Sequence, residues 1–318
     1  MRLLFIGSSK FGLRCLDGVL NLEGIQTVGV LSGRESFSIS YNKDGVRNAL
    51  YTDFEPFVTS RQIPFRLLSG KMSDPSLVQW IKELSPTFIL VAGWYHMIPR
   101  VILDIAPTAG LHASLLPDYS GGAPLVWAMI NGETRTGISL FLMDSGVDSG
   151  PLLGQAEEPI LFEDTIATLY ARIEEAGLGL IRTHLPKVMR GTAQYTIQDN
   201  SLRRIMPQRS PADGHIDWNW SARRIYDFIR AQTKPYPGAF TWLQNEPLKI
   251  WQAELLEEQE PGEPGALASP PKGEWRVTCG DGRSVRLRVV EWQGHEGEAG
   301  QVLGSKISGV NLRLPDRA

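Results

Sequence analysis

The stretch RLLFIGSSKFGLRCLDGVL, residues 2–20, decides the fold. Its first part, Arg2–Gly7, is a continuous apolar run that ends in glycine, which is typical of a strand buried on both faces of a parallel sheet. The residues that follow, Lys10–Leu20, have their apolar side chains at helical spacing. The stretch therefore predicts the first strand and helix of an α/β domain.

The alternation of strand and helix continues along the chain. Thr27–Gly33 and Thr87–Trp94 are predicted as buried strands, and Asp74-Pro75 opens a helix between them. Gly137–Gly146 is predicted as a strand that ends in an acidic turn, and Asp164–Ile173 as a capped helix. This alternation predicts an α/β fold whose N-terminal domain is Rossmann-like and doubly wound.

A second domain is predicted after residue 205. The α/β pattern ends near Gly191, and we interpret about 192–210 as a linker because it lacks periodicity and collects turn-forming residues. The domains are therefore predicted as 1–205 and 206–318. The second contains one helical stretch, Ala222–Ala231, followed by short β-type runs, so we expect a small C-terminal β-barrel of the OB-like kind.

Two details of the second domain follow from local patterns. Gly280-Asp281-Gly282 between two β-type runs is a strong hairpin turn. Val285, Leu287 and Val289 alternate with arginines, which predicts a strand with one buried face. The stretch 257–274, rich in Glu, Pro and Gly, is predicted to be a surface loop.

Composition restricts the function. The 318 residues suit two domains, and 42% hydrophobic and 21% charged residues are close to globular averages. No apolar run approaches the roughly 20 residues of a membrane helix, so we expect a cytoplasmic protein without membrane contact. The two cysteines, Cys15 and Cys279, support neither a disulfide framework nor a metal site. A net charge of −3 argues against an electrostatic hold on nucleic acid and favours small-molecule chemistry.

The turn GSSKFG, Gly7–Gly12, is no convincing nucleotide site. It lacks the central glycine of GxGxxG, which lets a backbone approach a pyrophosphate, and the GK[ST] of a P-loop. We interpret it as a tight turn at a helix start.

His112 and Asp148 are the candidate catalytic side chains. A histidine in an apolar stretch can be a core residue, and an aspartate between glycines can be a turn former. However, each follows the expected end of a strand, where open α/β sheets bind ligands, so the two side chains could meet. A histidine and a carboxylate in contact supply a proton donor and acceptor.

The segment 112–150, HASLLPDYSGGAPLVWAMINGETRTGISLFLMDSGVDSG, resembles the signature of enzymes that transfer a formyl group from 10-formyltetrahydrofolate. The shared pattern is His, then Ser-Leu-Leu-Pro, Gly-x-x-Pro, Thr-Gly and an Asp-x-Gly-x-Asp-x-Gly turn. Further landmarks follow the family order: RLLFIGSSKFG (2–12), VAGWYHMIP (91–99), HIDW (215–218), IRAQTKPYPGAF (229–240) and VTCGDG (277–282). The resemblance covers most of the chain, including the small C-terminal barrel of methionyl-tRNA formyltransferases and related sugar enzymes.

The resemblance implies a mechanism and a pocket. An amine attacks the formyl carbon, His112 stabilises the developing oxyanion, and Asp148 holds the imidazole and helps to remove the amine proton. The co-substrate would be 10-formyltetrahydrofolate, with no metal. The residues implied to form its pocket are Leu90, Val91, Ala92, Gly93, Trp94, Tyr95, Ile98, Pro99, Ser114, Leu115, Leu116, Pro117, Asp144, Gly146 and Val147.

The sequence departs from the family at Gly110, where the pattern has a catalytic asparagine. Glycine has no side chain to donate to an oxyanion, so another donor replaces it, the reaction is altered, or catalysis is lost. The candidate replacements are Ser114, Asn131, His96 and water. The loss of one such donor lowers a rate by about 10² to 10³ without abolishing it.

The acceptor is expected to be a small-molecule amine, with an amino-sugar nucleotide as the first choice and an amino-acid-like amine behind it. Asp118 and Ser120 stand where tRNA formyltransferases commonly have basic residues, and an acidic residue there would repel phosphate and attract a cationic amine. Methionyl-tRNA is the main alternative, followed by a 10-formyltetrahydrofolate hydrolase or a folate-binding module without catalysis. The sequence leaves monomer and homodimer open.

Overall fold

A computed structural model describes residues 1–39, 42–259, 262–268, 274–304 and 312–313. The chain divides into two compact units. Unit 1 comprises 1–122, 136–159 and 171–206, and unit 2 comprises 123–135, 160–170 and 207–318. The division near residue 206 lies beside the predicted boundary, but two earlier segments belong to unit 2. The assignment of a function to each domain stays a prediction.

Helices and strands alternate through the first two thirds of the chain. Up to residue 206 they are β1 Arg2–Ile6, α1 Lys10–Leu20, β2 Gln26–Ser32, β3 Ser36–Ile39, β4 Asn42–Arg47, α2 Glu55–Thr59, β5 Phe65–Leu67, α3 Pro75–Leu84, β6 Phe88–Val91, α4 Arg100–Leu103, β7 Thr108–His112, β8 Ser120–Gly121, α5 Pro124–Ile130, β9 Arg135–Leu142, β10 Leu152–Pro159, α6 Ile166–Met189 and β11 Ile205–Met206. The remaining elements are α7 Ala222–Gln232, β12 Ala239–Leu243, β13 Glu246–Gln259, β14 Ala266–Ala268, β15 Arg276–Thr278, β16 Arg283–Trp292, β17 His295–Glu298, α8 Ala299–Gly304 and β18 Leu312–Arg313. Short 3₁₀ turns lie at Asn200–Leu202 and Pro211–Gly214.

Unit 1 is built on a seven-stranded sheet with the order β10-β9-β7-β6-β1-β2-β5. The five strands from β7 to β5 are parallel. β9, in contrast, is antiparallel to β7. The sheet is therefore mixed, because the segment after β7 returns along its neighbour instead of crossing over to lie parallel to it.

The first strand and helix form as their patterns predict. On β1, Leu4 and Ile6 join a buried cluster with Leu77 and other residues of α3, while Phe5 points to the opposite face. α1 begins after Ser9, whose hydroxyl accepts from the Gly12 amide. Both faces of the central strand are thus covered, which explains its uninterrupted apolar sequence.

Three stretches of the structure differ from the sequence-based predictions in the extent or type of their elements. The helix expected over Asp164–Ile173 begins at Ile166 and continues to Met189. After Gly33, where no element was predicted, β3 and β4 pair in antiparallel orientation, and residues 40–41 lie outside the described part of the chain. The expected loop 257–274 contains the end of β13 and all of β14, and residues 260–261 and 269–273 are also outside the described ranges.

Unit 2 contains an antiparallel sheet with the order β12-β13-β16-β15-β14-β18, with β17 beside β16. β15 and β16 are joined at the predicted hairpin, where Gly282 has a φ of +76° and donates to the Cys279 carbonyl. Register shifts in β13 curve this sheet into a half-barrel. The predicted small C-terminal β-domain is present.

The predicted alternation along β16 is wrong at Val289. Val285 and Leu287 are buried as expected, but Val290 is buried in place of Val289. The pairing register shifts between Ile250 and Gln252 of β13, so the inward face moves by one residue.

The two early segments of unit 2 are tied to its later part by specific contacts. Trp127 donates to the Pro207 carbonyl over 2.9 Å. Buried Arg230 donates to the carbonyls of Leu161 and Asp164 and pairs with buried Asp227 at 2.7 Å. These bonds explain why 123–135 and 160–170 cluster with unit 2.

Within the part of the chain that the structure describes, no helix is long and apolar enough to cross a membrane. The same residues include no group of three or more His, Cys, Asp or Glu side chains placed to hold a metal ion.

Candidate active site

His112 is the last residue of β7, at the carboxyl end of the parallel part of the sheet. Its side chain is 11% exposed. The ring nitrogen Nε2 lies 2.8 Å from the carbonyl oxygen of Tyr119. Because a carbonyl oxygen can only accept, Nε2 carries the hydrogen of this bond. The other nitrogen, Nδ1, faces a second partner.

That partner is Asp148. Its Oδ2 lies 3.6 Å from Nδ1 of His112, and the side chain is 21% exposed. The same oxygen accepts the backbone amide of Gly121 over 2.8 Å. The distance to Nδ1 is longer than a hydrogen bond but allows a carboxylate to attract an imidazolium. The structure thus brings the two candidate catalytic side chains together.

The physical reason we expected for this meeting is wrong. β9 is antiparallel to β7, and its last residue, Leu142, lies opposite Ala109 instead of His112. The ends of these two strands are therefore at opposite edges. The turn 143–150 folds back over the sheet, and Asp148 returns to His112 with a left-handed φ of +51°.

Side-chain hydrogen bonds hold this turn. Asp144 Oδ1 accepts the Gly146 amide over 2.9 Å and the Ser149 hydroxyl over 2.6 Å. Gln198 donates to the carbonyls of Asp148 and Gly150 over 2.9 and 2.6 Å. Asp144 and Gly146, both predicted to lie in the folate pocket, therefore have a clear role in shaping the turn.

The loop after β7 has its own network. Ser114 is buried, and its hydroxyl donates to the Asp118 carbonyl over 2.7 Å. Ser139 of β9 donates to the Ser114 carbonyl and accepts the Leu116 amide. The Ser114 proton is thus engaged within the loop, which argues against Ser114 as the replacement oxyanion donor.

Asp118 is neutralised within unit 1. Arg204 donates to its two carboxylate oxygens over 2.5 and 2.6 Å. A carboxylate in a bidentate pair with arginine presents little net charge to a ligand. The expectation that Asp118 repels phosphate and attracts a cationic amine therefore loses its physical basis.

The position of the missing asparagine is filled by a neighbour. A Cβ atom built on Gly110 would lie 2.3 Å from the Cε of Met143 and 3.4 Å from the ring of Phe141. Gly110 and His112 are two residues apart on a strand, so side chains at these positions point to the same face. Met143 thus occupies the space into which a side chain at residue 110 would point.

The segment predicted to form the folate wall begins inside the fold. Leu90, Val91 and Ala92 are buried, and the Ala92 amide donates to Ile6. The Gly93 carbonyl accepts the Ser8 amide over 3.1 Å. The Ala92 amide and the Gly93 carbonyl are therefore engaged within the sheet and the turn after β1.

Aromatic rings cluster at the end of β6. His96 lies 4.7 Å from the ring of Phe37 and 5.2 Å from that of Trp94. Burial lowers the pKa of the His96 imidazole below its ordinary 6.5, which favours the neutral ring. The indole nitrogen of Trp94 is buried, and among the described residues it has no hydrogen-bond partner.

The other predicted pocket residues are divided between the interior and the surface. Ile98 belongs to the core cluster beside α3, and Leu116 is buried. The exposed or half-exposed ones are Tyr95, Pro99, Leu115, Pro117 and Val147. Asn131 ends α5 in unit 2, where its amide donates to the Trp127 carbonyl.

Sequence reasoning missed four residues that shape this site: Tyr119, Gln198, Arg204 and Met143. Gln198 and Arg204 lie in the stretch interpreted as a linker, and their partners are 50 and 86 residues away. Tyr119 acts through its carbonyl, a group that every residue has. Met143 gave no signal except its apolar character.

These features define a two-domain protein: an α/β domain with a histidine–carboxylate pair at the carboxyl end of β7, followed by an antiparallel β-domain. The family model described as "Formyl transferase" matches residues 39–184. The model described as "Formyl transferase, C-terminal domain" matches residues 209–303. Together they span well over half of the chain, which therefore belongs to the formyltransferase family of enzymes.

Solved structures with this fold include HypX from Aquifex aeolicus in complex with tetrahydrofolic acid, with 19% identity and a TM-score of 0.64 over 98% of this chain and 48% of that one. The N-formyltransferase from Helicobacter canadensis in complex with folinic acid and dTDP-3-aminofucose has 16% identity and a TM-score of 0.65 over 90% and 98%. Methionyl-tRNA formyltransferase from Clostridium thermocellum has 17% identity and a TM-score of 0.56 over 81% and 95%. The chain spans about half the length of HypX. These likenesses confirm the predicted fold class.

Proposed function

We propose that this protein is an N-formyltransferase that moves the formyl group of 10-formyltetrahydrofolate to a primary amine of a small molecule. The observation that supports this most directly is the approach of Asp148 to Nδ1 of His112 at the carboxyl end of β7. In a member of the formyltransferase family, this pair has the chemistry that acyl transfer to an amine requires.

The end of β6 fits a folate ring. A planar heterocycle with polar edges can accept from the buried Trp94 indole, which has no partner among the described residues. Tyr95, which is 39% exposed, and the partly exposed rings beside it offer flat apolar faces. When bound, 10-formyltetrahydrofolate supplies the activated formyl carbon.

His112 and Asp148 would divide the proton chemistry between them. Transfer forms a bond between the amine nitrogen and the formyl carbon, breaks the bond to the folate nitrogen, and moves one proton from the amine to that nitrogen. With Nε2 held by Tyr119, Nδ1–H of a protonated His112 is the donor available to the developing oxyanion. Asp148 Oδ2 can accept the amine proton. A fixed donor of this kind contributes about 2.7–4 kcal/mol to the lowering of the barrier.

We also propose that another hydrogen-bond donor takes the place of the family asparagine at the oxyanion. Ser114 is disfavoured because its proton is bonded to Asp118. His96 or a water molecule would then complete the oxyanion site. With water in that role, a lower rate is expected than in a site with a fixed side-chain donor.

An amino-sugar nucleotide is the first acceptor to test. The likeness to the Helicobacter canadensis enzyme, whose structure contains dTDP-3-aminofucose, covers nearly the whole of that protein. The net charge of −3 gives no general attraction to a polyanion such as tRNA. An amino-acid-like amine is the next class.

The test is an acceptor screen. Purified protein is incubated with 10-formyltetrahydrofolate and separate pools of amino-sugar nucleotides, amino acids and aminoacylated tRNA, and tetrahydrofolate release is followed by absorbance. We expect release that depends on a small amine, with a formylated product by mass spectrometry.

Other outcomes distinguish the alternatives. Release that requires only methionyl-tRNA would identify the main alternative, which the likeness to the Clostridium thermocellum enzyme favours. Release without any acceptor would identify a hydrolase. Folate binding without release under every condition would identify a binding module and contradict the proposed enzyme.

A further inference from the structure

We propose that Arg204 is a positioning residue that fixes which nitrogen of His112 carries the proton. It would act through Tyr119, whose carbonyl accepts from Nε2 of the imidazole. The kinetic part of this inference rests on the proposed function, whereas the protonation of the ring is a property of the protein alone.

The Arg204 side chain makes two contacts with the loop that contains Tyr119. Its guanidinium forms the bidentate pair with Asp118, the preceding residue in the chain. Its Cζ also lies 4.5 Å from the centroid of the Tyr119 ring. A planar guanidinium can bind both oxygens of a carboxylate with two parallel N–H groups and also contact a ring, whereas an ammonium lacks this two-pronged geometry.

The backbone of Arg204 makes a third contact with this loop. Its carbonyl accepts the Ser120 amide over 2.9 Å, and the neighbouring Met206 carbonyl accepts the Gly122 amide over 3.0 Å. β8 and β11 thus pair directly after Tyr119 and Arg204. The loop carrying Tyr119 is fastened to the strand carrying Arg204 by backbone and side chain together.

Tyr119 needs such a hold because of its backbone. Its φ of +52° is in the left-handed region, which is unfavourable for a large side chain. The Asp118 carboxylate accepts the Tyr119 amide over 2.9 Å and helps to maintain this conformation. Loss of Arg204 would free Asp118 and let the peptide after Tyr119 turn away.

The consequence at His112 is specific. With the Tyr119 carbonyl in place, the neutral ring keeps its hydrogen on Nε2, and Nδ1 presents a lone pair toward Asp148. Without it, the hydrogen moves to Nδ1, where the Asp148 carboxylate can accept it. Arg204 therefore keeps Nδ1 able to take up a proton.

The direct test is nitrogen NMR of the ring. The full-length protein is labelled with ¹⁵N-histidine at a pH where His112 is neutral, and its signals are assigned with His112→Gln. We expect the Nε2–H form in the wild type. In Arg204→Gln the ratio of the two forms should shift toward Nδ1–H by about fivefold, the upper range for one exposed ion pair.

Matched variants keep the test decisive. Arg14→Gln removes another arginine–carboxylate pair of unit 1, that with Glu174, and should leave the ring signals unchanged. Arg204→Lys keeps the charge but loses the fork and should give an intermediate shift. Asp118→Asn, which can still accept the Tyr119 amide, should shift the ratio in the same direction as Arg204→Gln.

The kinetic readout follows from the same shift. Arg204→Gln should lower kcat by about fivefold and move the pH profile, with KM for 10-formyltetrahydrofolate unchanged. Unchanged ring signals in folded Arg204→Gln and Asp118→Asn would overturn the proposal, even if activity fell. A shifted ring in a protein without formyl transfer would uphold the positioning role and refute the proposed function.

Discussion

Gly110 is the residue at which this chain departs most clearly from its family pattern. The vacant side-chain position is filled by Met143, which is partly buried and packs against the core cluster beside α3. The contact is made by the terminal methyl of a flexible side chain, so the two positions can be exchanged together.

Gly110→Asn is predicted to destabilise the protein by about 1–3 kcal/mol, because the new side chain overpacks against Met143. In Gly110→Asn/Met143→Ala the clash is relieved, so the double variant should be more stable than the sum of the single changes indicates. The free energy of unfolding, measured in urea for all three variants, checks this coupling.

The same double variant tests the missing donor. An amide at residue 110 on the face of His112 should raise kcat, by up to about 10²-fold if it reaches the oxyanion. Additive stability changes together with an unchanged kcat would show that position 110 is unrelated to the site.

His96 gives a pH dependence whose sign is fixed by its burial. The pKa of its folded-state imidazole is below 6.5, so the folded protein favours the neutral ring more than the unfolded chain does. The resulting stability is present above pH 6.5 and is lost as the pH falls through the lowered pKa. Stability of wild type should fall over this range, and His96→Gln should fall less steeply. His295→Gln, at an exposed histidine, is the control and should follow the wild type.

At the scale of elements, the decisive feature is the turn 143–150 between β9 and β10. The turn begins beside the amino end of β7 and must return to His112 at the carboxyl end. A glycine is required at its last residue, Gly150. A Cβ atom on Gly150 would lie 1.8 Å from the Leu142 carbonyl oxygen, a backbone atom that cannot move aside.

Gly150→Ala is predicted to destabilise the protein by about 3 kcal/mol or more. It should also lower the rate of formyl transfer, because the turn would displace Asp148. Gly179→Ala is the matched control in α6, because no atom lies within 4 Å of its added methyl group. It should stabilise the helix by about 0.5–1 kcal/mol. Chemical denaturation of both variants checks the opposite signs. Equal effects would contradict the steric account.

Elements whose signals are local could be predicted from the sequence. β1, the Asp74 cap of α3 and the hairpin at Gly280–Gly282 depend on residues within a few positions of one another, and the structure contains all three. The direction of β9 could not be predicted, because periodicity shows that a strand exists but not which neighbour it pairs with. His112 and Asp148 were candidates from their predicted strand-end positions and from the resemblance, although the expected route between them was wrong.

At the scale of the whole molecule, two units are interleaved along the chain. Segments 123–135 and 160–170 precede the predicted boundary but belong to unit 2 through contacts of Trp127 and Arg230. Such long-range bonds leave no local pattern, so neither segment could be assigned to unit 2 from composition. The hydrogen bonds of Gln198 and Arg204 could not be predicted for the same reason, because their partners are distant in the sequence.

Net charge leads to a prediction about the acceptor. A small amine should keep its KM within about twofold between 50 and 200 mM salt, because few counterions are released on binding. A tRNA acceptor with several phosphate contacts would lose about 10³-fold in affinity over the same range. Steady-state kinetics at the two salt concentrations distinguishes them, and a steep salt dependence would contradict the small-amine proposal.

The central claim is that His112 and Asp148 together perform formyl transfer, and single-turnover transfer to the acceptor found in the screen tests it most directly. His112→Ala and Asp148→Ala should each lower the rate by at least about 10²–10³-fold while thermal unfolding remains close to that of the wild type. His295→Ala and Asp17→Ala, at exposed positions of the same residue types, should retain the wild-type rate. Full activity in either His112→Ala or Asp148→Ala would contradict the account.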